Sequence, residues 1–184
     1  MRSLNEYITL NESGEYNLRP NSALELKKLI GQRIKEQGPN CDLNDIDVSR
    51  ITDMSQLFQY SEFNGDISQW DVSNVEDMYS MFESSKFNGD ISNWNVSNVK
   101  TMTFMFKETS FNGDLSKWDV SKVTEMIGTF ERSKFKGDLS NWRPINVKDM
   151  SSIFYKSPLD HKEPWWYDKY RDCTRHDNRY ARRF

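Results

Sequence analysis

The chain has 184 residues, 14% of them aromatic, with a net charge of -3 and a mean hydropathy of -0.85. That length suits one domain with a substantial core and is too short for two comfortable ones. No apolar run approaches the roughly 18 residues needed to cross a bilayer and the N-terminus lacks the apolar stretch of a secretion signal, so the expectation is a cytosolic protein.

The first predicted element is a small hairpin, in which Tyr7-Ile8-Thr9-Leu10 and Tyr16-Asn17-Leu18 flank the turn-forming Asn11-Glu12-Ser13-Gly14. An amphipathic helix follows over residues 22 to 37. Ser22 and Glu25 form a capping box, Leu26, Leu29, Ile30 and Ile34 share one face, and Gly38-Pro39 ends it. Residues 1–40 thus read as a hairpin and capping helix. Cys41 and Cys173 lie near opposite ends and form no disulfide framework, which fits a reducing compartment.

From residue 41 to 158 the sequence repeats itself every 24 positions. Trp70, Trp94, Trp118 and Trp142 mark the step, as do Phe63, Phe87, Phe111 and Phe135. Met54, Met78, Met102, Met126 and Met150 form a third series, and Phe58, Phe82, Phe106, Phe130 and Phe154 a fourth. Within each copy a run such as Ile67-Ser68-Gln69-Trp70-Asp71-Val72 has the spacing of a leucine-rich-repeat strand, and the Val75, Met78, Phe82 spacing suits a turn or two of helix. Ser49, Ser73, Ser97 and Ser121 stand where that helix would need an N-cap. Asn64-Gly65, Asn88-Gly89 and Asn112-Gly113 offer the positive φ of a tight corner. The expected fold class is therefore an α/β repeat solenoid, leucine-rich-repeat-like, of about five coils, each a short strand plus a short helix. Neighbouring coils must stack, because one copy cannot bury its own Trp, Met and Phe. An N-terminal helix and a C-terminal aromatic, basic segment cap the ends. Pro144 removes a ladder donor, so the last strand should be an edge, open to a second copy at Trp142-Arg143-Pro144.

The repeated motif Phe-Asn-Gly-Asp-Ile-Ser-x-Trp-x-Val-Ser-x-Val, followed by Met and Met-Phe and seen most fully at Phe87-Asn88-Gly89-Asp90-Ile91-Ser92-Asn93-Trp94, resembles the BspA-like leucine-rich repeat proteins of bacteria, mycoplasmas and some protists. The likeness covers roughly residues 41 to 158. It implies a binding role without chemistry, since members are mostly surface or secreted proteins that adhere to host proteins or to other cells.

On the expected open face, the side chains flanking each strand's central apolar residue form columns. Those singled out for partner binding are Gln69, Asp71, Asn93, Asn95, Lys117, Asp119, Asn141 and Arg143. Positions that vary between copies, such as Gln69, Lys117 and Arg143, suit recognition better than those that repeat, because Asp71 and its equivalents can instead bond to nearby backbone. Asp66, Asp90, Asp114 and Asp138 form a file of carboxylates that invites calcium, yet the repeat has one glycine where glycine-rich calcium motifs have several.

Residues 159–184 combine five acidic and seven basic side chains, against 18 acidic and 12 basic over residues 41–158. Trp165, Trp166, Tyr167, Tyr170, Arg171 and Arg175 make this tail a second candidate for partner binding, rich in residues that dominate protein interfaces. The same mixture would also suit nucleic acid, by charge and stacking. His161, Cys173 and His176 lack a sure fourth metal ligand. No phosphate loop, nucleophile elbow or zinc-protease motif occurs, and both histidines lie in the tail. The expectation is a non-enzymatic protein without metal or cofactor that docks on another protein, for instance a phage- or mobile-element-encoded inhibitor of a host complex. The alternatives are a surface adhesin and a nucleic-acid binder.

Overall fold

The computed structural model describes residues 8–10 and 16–171. Strands β1 (Ile8–Leu10) and β2 (Tyr16–Leu18) pair antiparallel, with Ile8 opposite Leu18. The turn that should join them, at residues 11–14, lies outside the described residues. Helix α1 spans Ala23–Gln37 and begins where the Ser22 hydroxyl accepts the Glu25 N–H at 3.3 Å. Glu25 reaches back one residue further than a standard capping box and accepts the Asn21 N–H. Gly38 ends the helix at φ 88°, its N–H bonded to the Ile34 carbonyl. Leu26, Leu29 and Ile30 are buried against the first coil, Arg33 pairs with Asp45, and Lys27 bonds the Gln56 carbonyl. β2 joins the same coil through a parallel bridge between Leu18 and Ile46.

The repeat region overturns the expected α/β repeat solenoid. Among the described residues the only strands are β1 and β2, and the only helices are α1 and α2 (Trp165–Arg171). Residues 41–158 contain neither, only tight turns linked by isolated parallel bridges, from Asp53–Asp77 through to Glu125–Asp149. The expected strand at residues 67–72 cannot extend, because the Trp70 N–H closes a turn on the Ile67 carbonyl at 3.2 Å and the Val75 N–H closes another on Val72. The leucine-rich-repeat spacing is here the spacing of consecutive turns.

The expected helix after each strand fails for a related reason. In residues 78–85 the N–H groups of Met81, Glu83 and Ser85 close turns on the carbonyls three residues back. Those of Met78, Ser80, Phe82 and Ser84 leave the coil and donate to Thr101, Thr103, Met105 and Lys107 of the next one. A helix would spend both sets within itself. This division needs two left-handed residues per coil, and they recur every 24 positions: Gln56, Ser80, Phe104, Gly128 and Ser152 at one site, Tyr60, Ser84, Glu108, Arg132 and Lys156 at the other. Outside glycine that conformation costs about 1–2 kcal/mol per residue, so the bonds between coils must hold it in place.

The Asn-Gly corners also differ from expectation, since among the described residues the glycines with positive φ are Gly38 and Gly128. Gly65 is required for a different reason: a Cβ there would sit 1.9 Å from the Cys41 carbonyl oxygen and 2.7 Å from the Phe63 ring. Glycine at this corner lets each phenylalanine fold over its own backbone. The asparagines stitch coils instead, the Asn64 and Asn88 side-chain oxygens accepting the N–H of Asn88 and Asn112.

Inside, the apolar series become columns. Phe58 and Phe82 stack at 5.6 Å and nearly parallel, Phe63 and Phe87 at 6.1 Å, and Trp70 and Trp94 at 6.4 Å. Each indole N–H of this series donates to a carbonyl 27 residues earlier: Trp70 to Leu43, Trp94 to Ile67, Trp118 to Ile91, Trp142 to Leu115. Trp166 continues both patterns, bonding Leu139 at 2.7 Å and stacking on Trp142 at 6.1 Å. The edge expected at Trp142-Arg143-Pro144 is thus covered by α2.

Ser152 is exposed and sits at φ 57°. Ser152→Gly should leave stability unchanged or raise it, whereas Ser152→Val, β-branched in a left-handed position, should cost about 1 kcal/mol or more. Urea denaturation of the two variants checks this, and equal midpoints would contradict the conformation.

Candidate partner-binding surface

The side of the coils that carries the sequence-derived candidates is a surface of turns, not the face of a sheet. Gln69, Asn93, Lys117 and Asn141 are exposed along it, one per coil. The neighbouring column is also exposed but committed. Asp71, Asn95 and Asp119 each accept the N–H of the serine two residues on, Ser73, Ser97 and Ser121, at 2.9–3.2 Å. The serines expected as helix caps are therefore donors in side-chain-closed turns. Of the eight residues, Asp71, Asn95 and Asp119 each have one side-chain oxygen engaged in a turn, while the Gln69 column closes no turn of this kind.

The carboxylate file is spent in the same way. Asp66, Asp90, Asp114 and Asp138 accept the N–H of Ser68, Ser92, Ser116 and Ser140, each at 2.8–2.9 Å. The backbone N–H of Ser68, with side-chain bonds from Asn44 and Ser68, holds the Asp66 carboxyl below the ordinary carboxylate range. Ser92 and Ser116 do the same for Asp90 and Asp114. A shallow polar hollow of about 390 Å³ lies beside Asp66 and Asp90, floored by Gly65 and Gly89. Among the described residues no group of three or more His, Cys, Asp or Glu side chains is arranged to hold a metal ion. Cys173 and His176 lie outside the described residues.

The tail candidates separate sharply. Trp166 is fully buried and belongs to the core, so it is not available to a partner. Trp165, its neighbour on α2, is 50% exposed, although its indole N–H bonds the Ser140 carbonyl at 2.9 Å. Tyr167 and Tyr170 are half-buried against the core, and Tyr167 meets Phe154 edge-on. Arg171 is exposed and pairs with Asp168. Arg175 lies outside the described residues.

The structure brings one residue of the coil group and one of the tail group together. The Arg143 guanidinium lies 4.5 Å from the centre of the Trp165 ring and donates to the Ser140 and Trp142 carbonyls at 2.8 Å. Lys169 approaches the same indole at 5.8 Å and Tyr170 at 5.2 Å. Ile145, two residues beyond Arg143, is 60% exposed. Sequence reasoning missed Ile145 and this pairing. It was within reach, because placing Trp166 24 residues after Trp142 puts Trp165 24 after Asn141, at the end of the Gln69 column.

A second exposed group also escaped it. Tyr79 is 37% exposed and meets Phe104 edge-on at 6.1 Å, with Lys107 over Phe104. Phe104 has room there because Gly128 stands in the equivalent place one coil on, where a Cβ would lie 2.6 Å from its ring. These positions looked like helix in the sequence, so their side chains had no assigned direction.

A protein built of 24-residue coils that bury their aromatic columns, with polar side chains spent on turns, is a repeat protein. The sequence profile of the family described as "Mycoplasma protein of unknown function, DUF285" matches residues 28–132 and again 107–168, and the chain belongs to that family. No curated protein and no solved structure is detectably similar to it. No helix among the described residues is long and apolar enough to cross a membrane.

The aspartate turns give a pH prediction. A carboxyl held below its unfolded value of about 3.9 contributes stability that is fully present above that pH and disappears as the pH falls through the lower folded value. The melting temperature should therefore be flat above about pH 5 and fall below about pH 4, less steeply in Asp90→Asn. A melting curve insensitive to acid down to pH 2 would contradict these bonds.

Proposed function

We propose that the protein is a non-enzymatic docking module that binds another protein through the end of the coil stack where α2 closes it. The observation that carries this reading is Trp165. The other five tryptophans of the chain are buried in one column, while this one is half exposed and backed by an arginine. Tryptophan and arginine at a rigid, partly desolvated position are the residues that dominate interfaces. The Gln69, Asn93, Lys117, Asn141 column leads to it and supplies a polar rim. The likeness of the repeat to BspA-like proteins, which mostly adhere to other proteins or cells, supports binding as the activity. A module of this kind acts by occupying a partner's surface, which suits a blocking role.

Affinity purification from cells of the source organism with the wild-type chain and with Trp165→Ala tests the reading. A stoichiometric protein partner recovered by the first and depleted at least about tenfold with the second is the expected result. Equal recovery by both would move docking away from this end, and no partner at all would contradict it.

A further inference from the structure

Resting on that docking reading, we infer that the Arg143–Trp165–Lys169 face recognises an acidic peptide segment of its partner. The argument begins with the cations. Arg143 and Lys169 have no carboxylate partner among the described ion pairs, whereas the neighbouring acids are used: Asp168 pairs with Arg171, and Asp160 accepts the Lys156 N–H. Two positive charges thus face solvent around one indole, on a chain whose net charge is negative.

The guanidinium is also pre-positioned. One terminal nitrogen is bound to the Ser140 and Trp142 carbonyls and the plane rests near the indole, so the remaining N–H groups are free to meet a carboxylate side-on. Ile145 offers an apolar contact beside them. Nucleic acid fits less well. Stacking a base needs a free ring face, and the exposed indole already carries Arg143 and Lys169.

The test uses the full chain and an end-blocked eight-residue oligoglutamate peptide, with an oligolysine peptide and an oligothymidylate as comparators, read by tryptophan fluorescence. Because the other indoles are buried, a change on binding reports Trp165. Saturable binding of oligoglutamate that weakens with salt is expected, with no binding of oligolysine. Arg143→Gln and Lys169→Gln should each weaken it about fivefold or more, while Lys28→Gln, exposed on α1 at the other end of the coils, leaves it within about twofold. Absence of oligoglutamate binding, tighter binding of oligothymidylate, or equal loss in Lys28→Gln overturns the inference. If oligoglutamate fails while the purified partner still depends on Trp165, the acidic-segment inference falls and the docking reading stands.

Discussion

Everything in this structure depends on how each coil divides its backbone N–H groups. Half of those in the Met78 to Ser85 stretch close turns within the coil, and the alternate half reach the next coil's carbonyls. The division forces two left-handed residues into every repeat and so excludes both helix and strand. It also forces neighbouring coils into one register, because a slip of one residue would exchange the two sets of donors. The tryptophan column locks the same register from inside, each indole N–H reaching back 27 residues. A buried hydrogen bond of this kind contributes about 1 kcal/mol net, and leaving its carbonyl unpaired costs about 1–3 kcal/mol.

The strict register explains where function can reside. Apolar positions are consumed by the columns, and most acidic residues beside them are consumed by turns. The positions that vary between copies include the Gln69 column and those around Tyr79 and Phe104, and the two ends depart from the repeat altogether. The N-terminal end is closed by α1 and β2, with ordinary helix-cap chemistry. The C-terminal end is closed by α2, and there the closing residues do two jobs. Trp166 completes the core and Trp165, one residue earlier, faces out over Arg143.

Much of this was legible in the sequence, and the rest was hidden for identifiable reasons. The 24-residue columns are visible because stacked coils put identical side chains in identical environments, so Trp, Phe and Met repeat. The capping residues of α1 are legible because Ser22 and Gly38 answer to local backbone needs. The coil conformation was not, because apolar residues three and four apart serve a chain of turns as well as a helix, and no propensity marks Gln56 or Tyr60 as left-handed. Asn-Gly misled for a similar reason: Gly65 is demanded by a close approach to Cys41 and Phe63 rather than by φ. The aromatic segment was expected to cap the last coil, but Trp166 was not read as the next member of the tryptophan column because it sits in an aromatic pair, although its distance from Trp142 is the repeat length.

Indole hydrogen exchange followed by NMR tests the central claim most directly, since it reads the register one coil at a time. The account predicts that the N–H resonances of Trp70, Trp94, Trp118, Trp142 and Trp166 exchange slowly, close to the rate of global unfolding, while that of Trp165, bonded but half exposed, exchanges faster than all five. Rapid exchange at two or more of the five column indoles would show that the coils are not pinned to one another as described.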